Sequence, residues 1–231
     1  MATSVPHRRH GGPRYSFVLR KIVLLADAPL TFREFVTHEE VPLATIFREV
    51  LEFLGGHANA ILFGAHAVNA YCDPERMTQS VDLLSTRASE LAAQLRERLA
   101  ERFRIAVRVR EVIPGQGFRI YQVRKPSNRH LVDVRQTDTL PSSQQFAGVW
   151  VIAPPELIAM KVISLVHRAG RPKAGTDLVD VQRLLLTFPD LKTADGLVAD
   201  RLRQMSASEG VLSRWRELAE APIEPDEDEG Y

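Results

Sequence analysis

The chain has 231 residues, 45% hydrophobic and 26% charged, with a formal net charge of +1. That is enough apolar material for one sizeable core, or for one domain plus a smaller helical one, and it excludes a fibrous or wholly disordered chain. A balance so near neutrality gives no global field for nucleic acid, membrane or an acidic substrate, so any such contact must come from a local patch.

Met1 to Arg14 is basic, contains Gly and Pro and is low in hydrophobics, which predicts a flexible tail. Ser16 to Ala28, with Phe17, Val18, Ile22, Val23 and Leu25, reads as an amphipathic helix. Arg20 and Lys21 interrupt the apolar stretch there and no 18-residue apolar run exists, so no membrane span is expected. Pro42 to Leu54 is a stronger helix, with apolar residues recurring at three and four and Gly55-Gly56 to stop it.

Ala60 to Phe63 is a short apolar run that predicts a strand, Gly64 a turn, and Ala65 to Tyr71 a short helix. The Asp73-Pro74 turn lies in a polar loop, after which Gln79 to Leu84 is extended again. On that strand Ser80 and Asp82 share one face and Val81 and Leu83 the other. A carboxylate on a sheet face beside a turn is costly unless it is hydrated, paired or bound to a cation. The single cysteine, Cys72, excludes an intrachain disulfide, fits a reducing compartment and, with no base adjacent in sequence, reads as a filler residue in a cytoplasmic protein.

Arg87 to Glu101 predicts an amphipathic helix, and three strand candidates follow at Ile105 to Val112, Gly117 to Val123 and Leu131 to Arg135. In the last, Leu131, Asp133 and Arg135 share a face. Were the strands of Asp82 and Asp133 neighbours, directly opposed Cβ atoms would lie about 5 Å apart, close enough to share a divalent cation. The competing reading is a surface pair of Asp133 with Arg119 or Arg135, worth little to stability.

A loop rich in Ser and Gln leads to a short strand at Val149 to Ile152, and Pro154-Pro155 marks the boundary to a helical second half. Glu156 to Arg168 is a helix with Lys161, Ser164 and Arg168 on one polar stripe. After a basic loop from Gly170 to Gly175, Thr176 is the expected N-cap of a helix to Leu186, with Asp177 and Asp180 near its start. Asp177 would complement that helix N-terminus, and Lys161 or Arg168 would pair with Asp180 across a helix hairpin. Lys192 to Ala221 is charged and helical, and Pro222 to Tyr231 is an acidic tail. The expected plan is a basic tail over 1–14, an α/β domain over 15–152, a helical domain over 153–221 and an acidic tail over 222–231.

Gly64-Ala65-His66-Ala67 leading to Tyr71, and then Arg76-Met77-Thr78-Gln79-Ser80-Val81-Asp82, resemble the active-site segment of the nucleotidyltransferase superfamily. The segment is most similar to the AbiEii/AbiGii toxin-like nucleotidyltransferases, whose pattern runs from a Gly-rich turn through Arg-x-Thr to Asp-x-Asp. Ser80 stands where the first Asp of that pair is expected. His130-Leu131-Val132-Asp133-Val134 is similar to the family's later aspartate strand, and Lys161, Arg168, Asp177 and Asp180 match its Lys, Arg and Asp-x-x-Asp.

The resemblance implies an α+β fold, a nucleotidyltransferase-like mixed sheet flanked by helices and followed by a helical C-terminal half. It implies catalytic roles for Asp82, Asp133 and Ser80, with Asp82 and Asp133 as ligands of a two-metal Mg²⁺ site. Gly64, Ala65, Arg76, Thr78, Lys161, Arg168, Asp177 and Asp180 become nucleotide-binding residues, with Arg76 and Thr78 bracing their loop. The implied substrate is an NTP, the acceptor an RNA such as tRNA or a protein, and the implied partner a cognate antitoxin. Two readings of different class follow: a Mg²⁺-dependent transferase, or a nucleotide- or partner-binding module left by the loss of one acid at Ser80. Small-molecule modification of the antibiotic type shares the fold but matches the second-half residues less closely.

Overall fold

The computed structural model describes residues 34, 36 and 39–225. The expected N-terminal tail, the helix over 16–28 and residues 226–231 of the acidic tail lie outside them. Helix α1, Leu43–Leu54, follows Pro42 and buries Ile46, Phe47, Val50, Leu51 and Leu54, the stripe that its three- and four-residue spacing dictates. Strand β1, Ala60–Phe63, is buried along its whole length and runs directly into helix α2, Gly64–Tyr71. Strand β2, Val81–Ser85, follows. It begins two residues later than the pattern predicts; the Thr78 hydroxyl donates to the Ser80 carbonyl at 3.1 Å and keeps that residue in a bend outside the ladder.

Helix α3, Ala88–Phe103, packs one leucine stripe (Leu91, Leu95 and Leu99) inward. Strands β3, Val107–Ile113, β4, Gly117–Gln122, and β5, Arg129–Gln136, form the next three pieces of the sheet. The Ser- and Gln-rich loop contains strand β6, Ser143–Phe146, paired antiparallel with β7, Val149–Ile152. Its polar composition hides it, because an edge strand half open to water needs no apolar run. Ala147 and Gly148 both take positive φ, the conformation of a tight two-residue hairpin.

The strands form one seven-stranded sheet in the order β3-β4-β5-β2-β1-β7-β6. The β2–β5 and β1–β7 pairs are parallel and the rest antiparallel. The Ser85 hydroxyl accepts from Arg87 N–H and the Gln136 side-chain oxygen from Ala88 N–H, each at 3.0 Å, so the face that carries Leu83, Ser85 and Gln136 is the one docked to α3. The opposite face carries Asp82 and Asp133.

The second half contains α4, Pro154–His167, α5, Pro172–Thr187, a 3-10 turn at Pro189–Leu191, α6, Leu197–Gln204, and α7, Glu209–Glu220. Thr176 is therefore not an N-cap. Pro172, with its fixed φ and no N–H to lose, starts the helix five residues earlier, after Arg171, and places Thr176 inside it. The buried apolar residues form one continuous core from Ile46 to Ala219, so the sheet and the helical half share an interior. Among the described residues no helix is long and apolar enough to cross a membrane.

Trp215 on α7 is fully buried, and its indole N–H donates to the Ala194 carbonyl at 3.1 Å. Trp215→Ala should lower the unfolding free energy by about 3–5 kcal/mol in urea denaturation, by lost burial, the cavity and an orphaned carbonyl.

Candidate active site

Asp82 on β2 and Asp133 on β5 are register partners in parallel strands. Their side chains leave the same face of the sheet one strand spacing apart, about 4.8 Å. They belong to a cross-sheet row of five residues, Phe63, Asp82, Asp133, Arg119 and Arg110, one on each of β1, β2, β5, β4 and β3. Like charges so close cannot both ionise freely unless something positive intervenes.

The two acids are treated differently by their surroundings. Arg119 grips Asp133 through two hydrogen bonds of 2.9 and 3.2 Å, and His130 Nε2 lies 3.1 Å from the same carboxylate. The surface pair considered from the sequence is thus present, and it occupies one of the two acids. Burial pulls the Asp133 carboxyl upward, but His130 and Arg119 outweigh it and hold the group down at about 2. Asp82 makes no hydrogen bond or ion pair among the described residues. Burial pushes its carboxyl above the ordinary range; Arg135 pulls it back, Asp133 pushes it further up, and Lys161 and His130 favour the charge.

Gly64 is fixed by Asp82. Its φ is +70°, and a Cβ added there would lie 2.4 Å from Asp82 Oδ2. The glycine therefore serves both the turn from β1 into α2 and the close approach of the carboxylate to the backbone. Ala65, at the start of α2, is buried. Ser80 precedes β2, with its carbonyl accepting from the Thr78 hydroxyl.

Arg76 braces the loop from both ends. Its backbone N–H donates to Asn69 Oδ1 at 3.1 Å and its carbonyl accepts from Asn69 Nδ2 at 2.7 Å, which ties the loop to α2. Its guanidinium donates to Asp180 through Nε at 2.6 Å and Nη2 at 2.8 Å. Lys161 Nζ on α4 lies 2.6 Å from Asp180 and 3.3 Å from Asp177, and Arg168 Nη1 donates to Asp177 at 2.7 Å. The hairpin pairing read from the sequence is therefore real, and the loop arginine joins it. Asp177 and Asp180, expected among the nucleotide-binding residues, are almost wholly buried with their oxygens turned to these cations. Burial opposes the Asp180 charge, but Arg76 and Lys161 prevail and lower its pKa.

Three neighbours of the acids escaped the sequence reading in any functional sense. Phe63 and Arg135 form a cation–π contact, with the guanidinium carbon 5.0 Å from the ring centroid. His130 joins Asp133 from three residues away. The period-2 pattern already put Arg135 on the Asp133 face, but nothing in one sequence pairs it with Phe63. Cys72 is buried and its thiol is pushed up by that burial, as a packing residue's would be.

The model of the AbiEii nucleotidyl transferase toxin family, a type IV toxin–antitoxin system, matches residues 46–231. The chain belongs to that family. Among solved structures, JHP933 from Helicobacter pylori is 13% identical with a TM-score of 0.53, covering 83% of this chain and 92% of its own. A second H. pylori protein, assigned to the nucleotidyltransferases, is 12% identical with a TM-score of 0.50, covering 82% of this chain and 94% of its own. At such identities the likeness shows the fold alone, an α+β nucleotidyltransferase-like fold. A search of curated proteins finds no match. Within this AbiEii-family chain the described residues hold no group of three or more His, Cys, Asp or Glu placed to share a metal ion. Among the described residues the carboxylates paired in register are two, Asp82 and Asp133.

Gly64→Ala should destabilise the fold by about 1–3 kcal/mol, by strain at positive φ and collision with Asp82. Gly175→Ala, inside α5 where a Cβ meets nothing within 4 Å among the described residues, should be neutral or stabilising by up to about 1 kcal/mol, and thermal melts of both variants check the pair. His66 is buried, packs edge-on against Phe47 at 5.0 Å, and has its pKa lowered to about 4, by burial and then by Arg76. The unfolded chain takes its proton first, so stability is full above about 6.5 and falls as the pH drops toward 4. The loss is on the order of 3 kcal/mol. Urea titrations across that window should show the slope, and His66→Leu should flatten it.

Proposed function

We propose that this chain is a nucleotidyltransferase that moves a nucleotide from an NTP to an RNA acceptor, such as tRNA, or to a protein, as the toxin of a toxin–antitoxin pair. The observation that carries the reading is the pairing of Asp82 with Asp133 in register on parallel strands, beside a glycine that a side chain would displace. Family membership supplies the reaction class and the expectation of a cognate antitoxin.

The donor set fits a hard divalent cation. A half-buried carboxylate without a partner among the described residues stands beside a second, and such oxygen pairs are what Mg²⁺ takes along with water and phosphate. Asp82 and Asp133 would hold the metal, which when bound neutralises charge on the phosphates. The chain's own residues do the rest. Gly64 admits the phosphates close to backbone. Lys161 and Arg168, already fixed by Asp177 and Asp180, offer their remaining N–H donors to the triphosphate. Arg76 has its Nε, Nη1 and Nη2 donors engaged with Asp180 and the Met77 carbonyl, and acts as a brace. In the transfer, the acceptor hydroxyl oxygen bonds to the α-phosphorus, the bond to the bridging oxygen of pyrophosphate breaks, and a carboxylate of the Asp82–Asp133 pair takes the hydroxyl proton.

Ser80 favours a second reading. It brings no charge to a position where the family pattern expects an acid, which leaves a module that binds a nucleotide or a partner without turnover. The two are separated by incubation with labelled NTPs, Mg²⁺ and total RNA or cell protein. A transferase should give label transfer that falls by about 10²–10³-fold in Asp82→Ala. A binding module should be inert as it stands and gain transfer in Ser80→Asp; silence in both folded proteins would sink the transferase fold's claim to chemistry here.

A further inference from the structure

Arg135 sits on the carboxylate face of the sheet two residues beyond Asp133, opposite Leu84 on one side and Gly117 on the other. It is exposed, and among the described residues its side chain makes no hydrogen bond or ion pair, though its charge favours the Asp82 anion. That is unusual for a guanidinium so near two acids. Its partner is a ring instead: Phe63 lies on β1, and β2 runs between β1 and β5, so the side chain reaches across β2 to place its guanidinium carbon 5.0 Å from the Phe63 centroid. Gly117 offers no side chain to crowd it on the β4 side. The Phe63 ring is buried in the core, so the cation–π contact holds the guanidinium beside a fixed ring while the arginine itself stays exposed. Asp133 is already held by Arg119 and His130, so it does not capture Arg135.

We propose that Arg135 is a further substrate-contacting residue, a guanidinium preset over Phe63 to grip phosphoryl oxygens that enter beside Asp82 and Asp133. The proposal rests on the transferase reading for its substrates but not for its test. Phosphoryl oxygens can come from the NTP or from the phosphodiester backbone of a nucleic-acid acceptor. A planar fork suits both, because two parallel N–H groups match two oxygens of one phosphate.

The experiment measures binding of two probes, inorganic triphosphate with Mg²⁺ and a short single-stranded RNA, to wild type, Arg135→Ala, Arg135→Lys and Phe63→Leu. Arg135→Ala should raise Kd for at least one probe by about tenfold or more. Arg135→Lys should recover only part of it, since it keeps the charge and loses the fork, and Phe63→Leu should fall between wild type and Arg135→Ala. Loss confined to triphosphate assigns the NTP, and loss confined to RNA assigns the acceptor backbone. Wild-type affinity for both probes in folded Arg135→Ala, or no binding of either probe by wild type, overturns the proposal. A transfer assay run alongside separates the two claims: binding that depends on Arg135 in a protein that transfers nothing, even as Ser80→Asp, leaves the phosphate site standing and removes the transferase. Where transfer occurs, Arg135→Ala should raise KM for the substrate whose probe it weakens more than it lowers kcat.

Discussion

Two carboxylates side by side on parallel strands repel each other, and much of the local structure is arranged to tolerate that. Parallel pairing of β2 with β5 fixes the register, so neither acid can slip away without turning a whole strand over. The protein answers unequally. Asp133 receives Arg119 and His130 and is stabilised as an anion, whereas the Asp82 carboxylate lies against Gly64 with no hydrogen-bond or ion-pair partner among the described residues. Splitting the proton affinities of two neighbouring acids is how one site obtains a group that holds charge and a group that can exchange a proton.

The second organising interaction is ionic and mostly buried. Arg76, Lys161 and Arg168 share Asp180 and Asp177, three cations to two acids, and join the loop after α2 to both helices of the following hairpin. A buried cluster of this kind adds little net stability, because desolvation consumes most of the Coulomb gain. What it adds is placement. The loop that enters β2 is set relative to the helical half by bonds with fixed directions, and the excess positive charge is left where Lys161 already favours the Asp82 anion.

Much of this was legible in the sequence, for reasons that vary by residue. Ala60–Phe63 and Val149–Ile152 match their predicted strands because short apolar runs flanked by glycine or proline have little alternative. The helix stripes of α1 and α3 were equally plain. The β6 strand was not, because Gln144 and Gln145 follow no apolar pattern and are held by the hairpin turn and by β7. Thr176 misled because a capping residue type outranked a nearby proline in the reading. At the site, Asp82 and Asp133 could be named from alternation and family likeness, but their pairing required strand order. The Asn69–Arg76 exchange and the Phe63–Arg135 stack were beyond reach, since each depends on side chains meeting through tertiary contacts that spacing does not encode.

Strand order also has a temporal side. Between β2 and β5 the chain inserts α3, β3 and β4, and the cations of α4 come later still. A nascent polypeptide emerging from the ribosome as far as β4 has the first acid and its glycine but neither the second acid nor the lysine. Closing so distant a pairing is among the slow steps of folding. The paired acids and the lysine near them therefore come together only after synthesis has passed the sheet's centre and reached the helices.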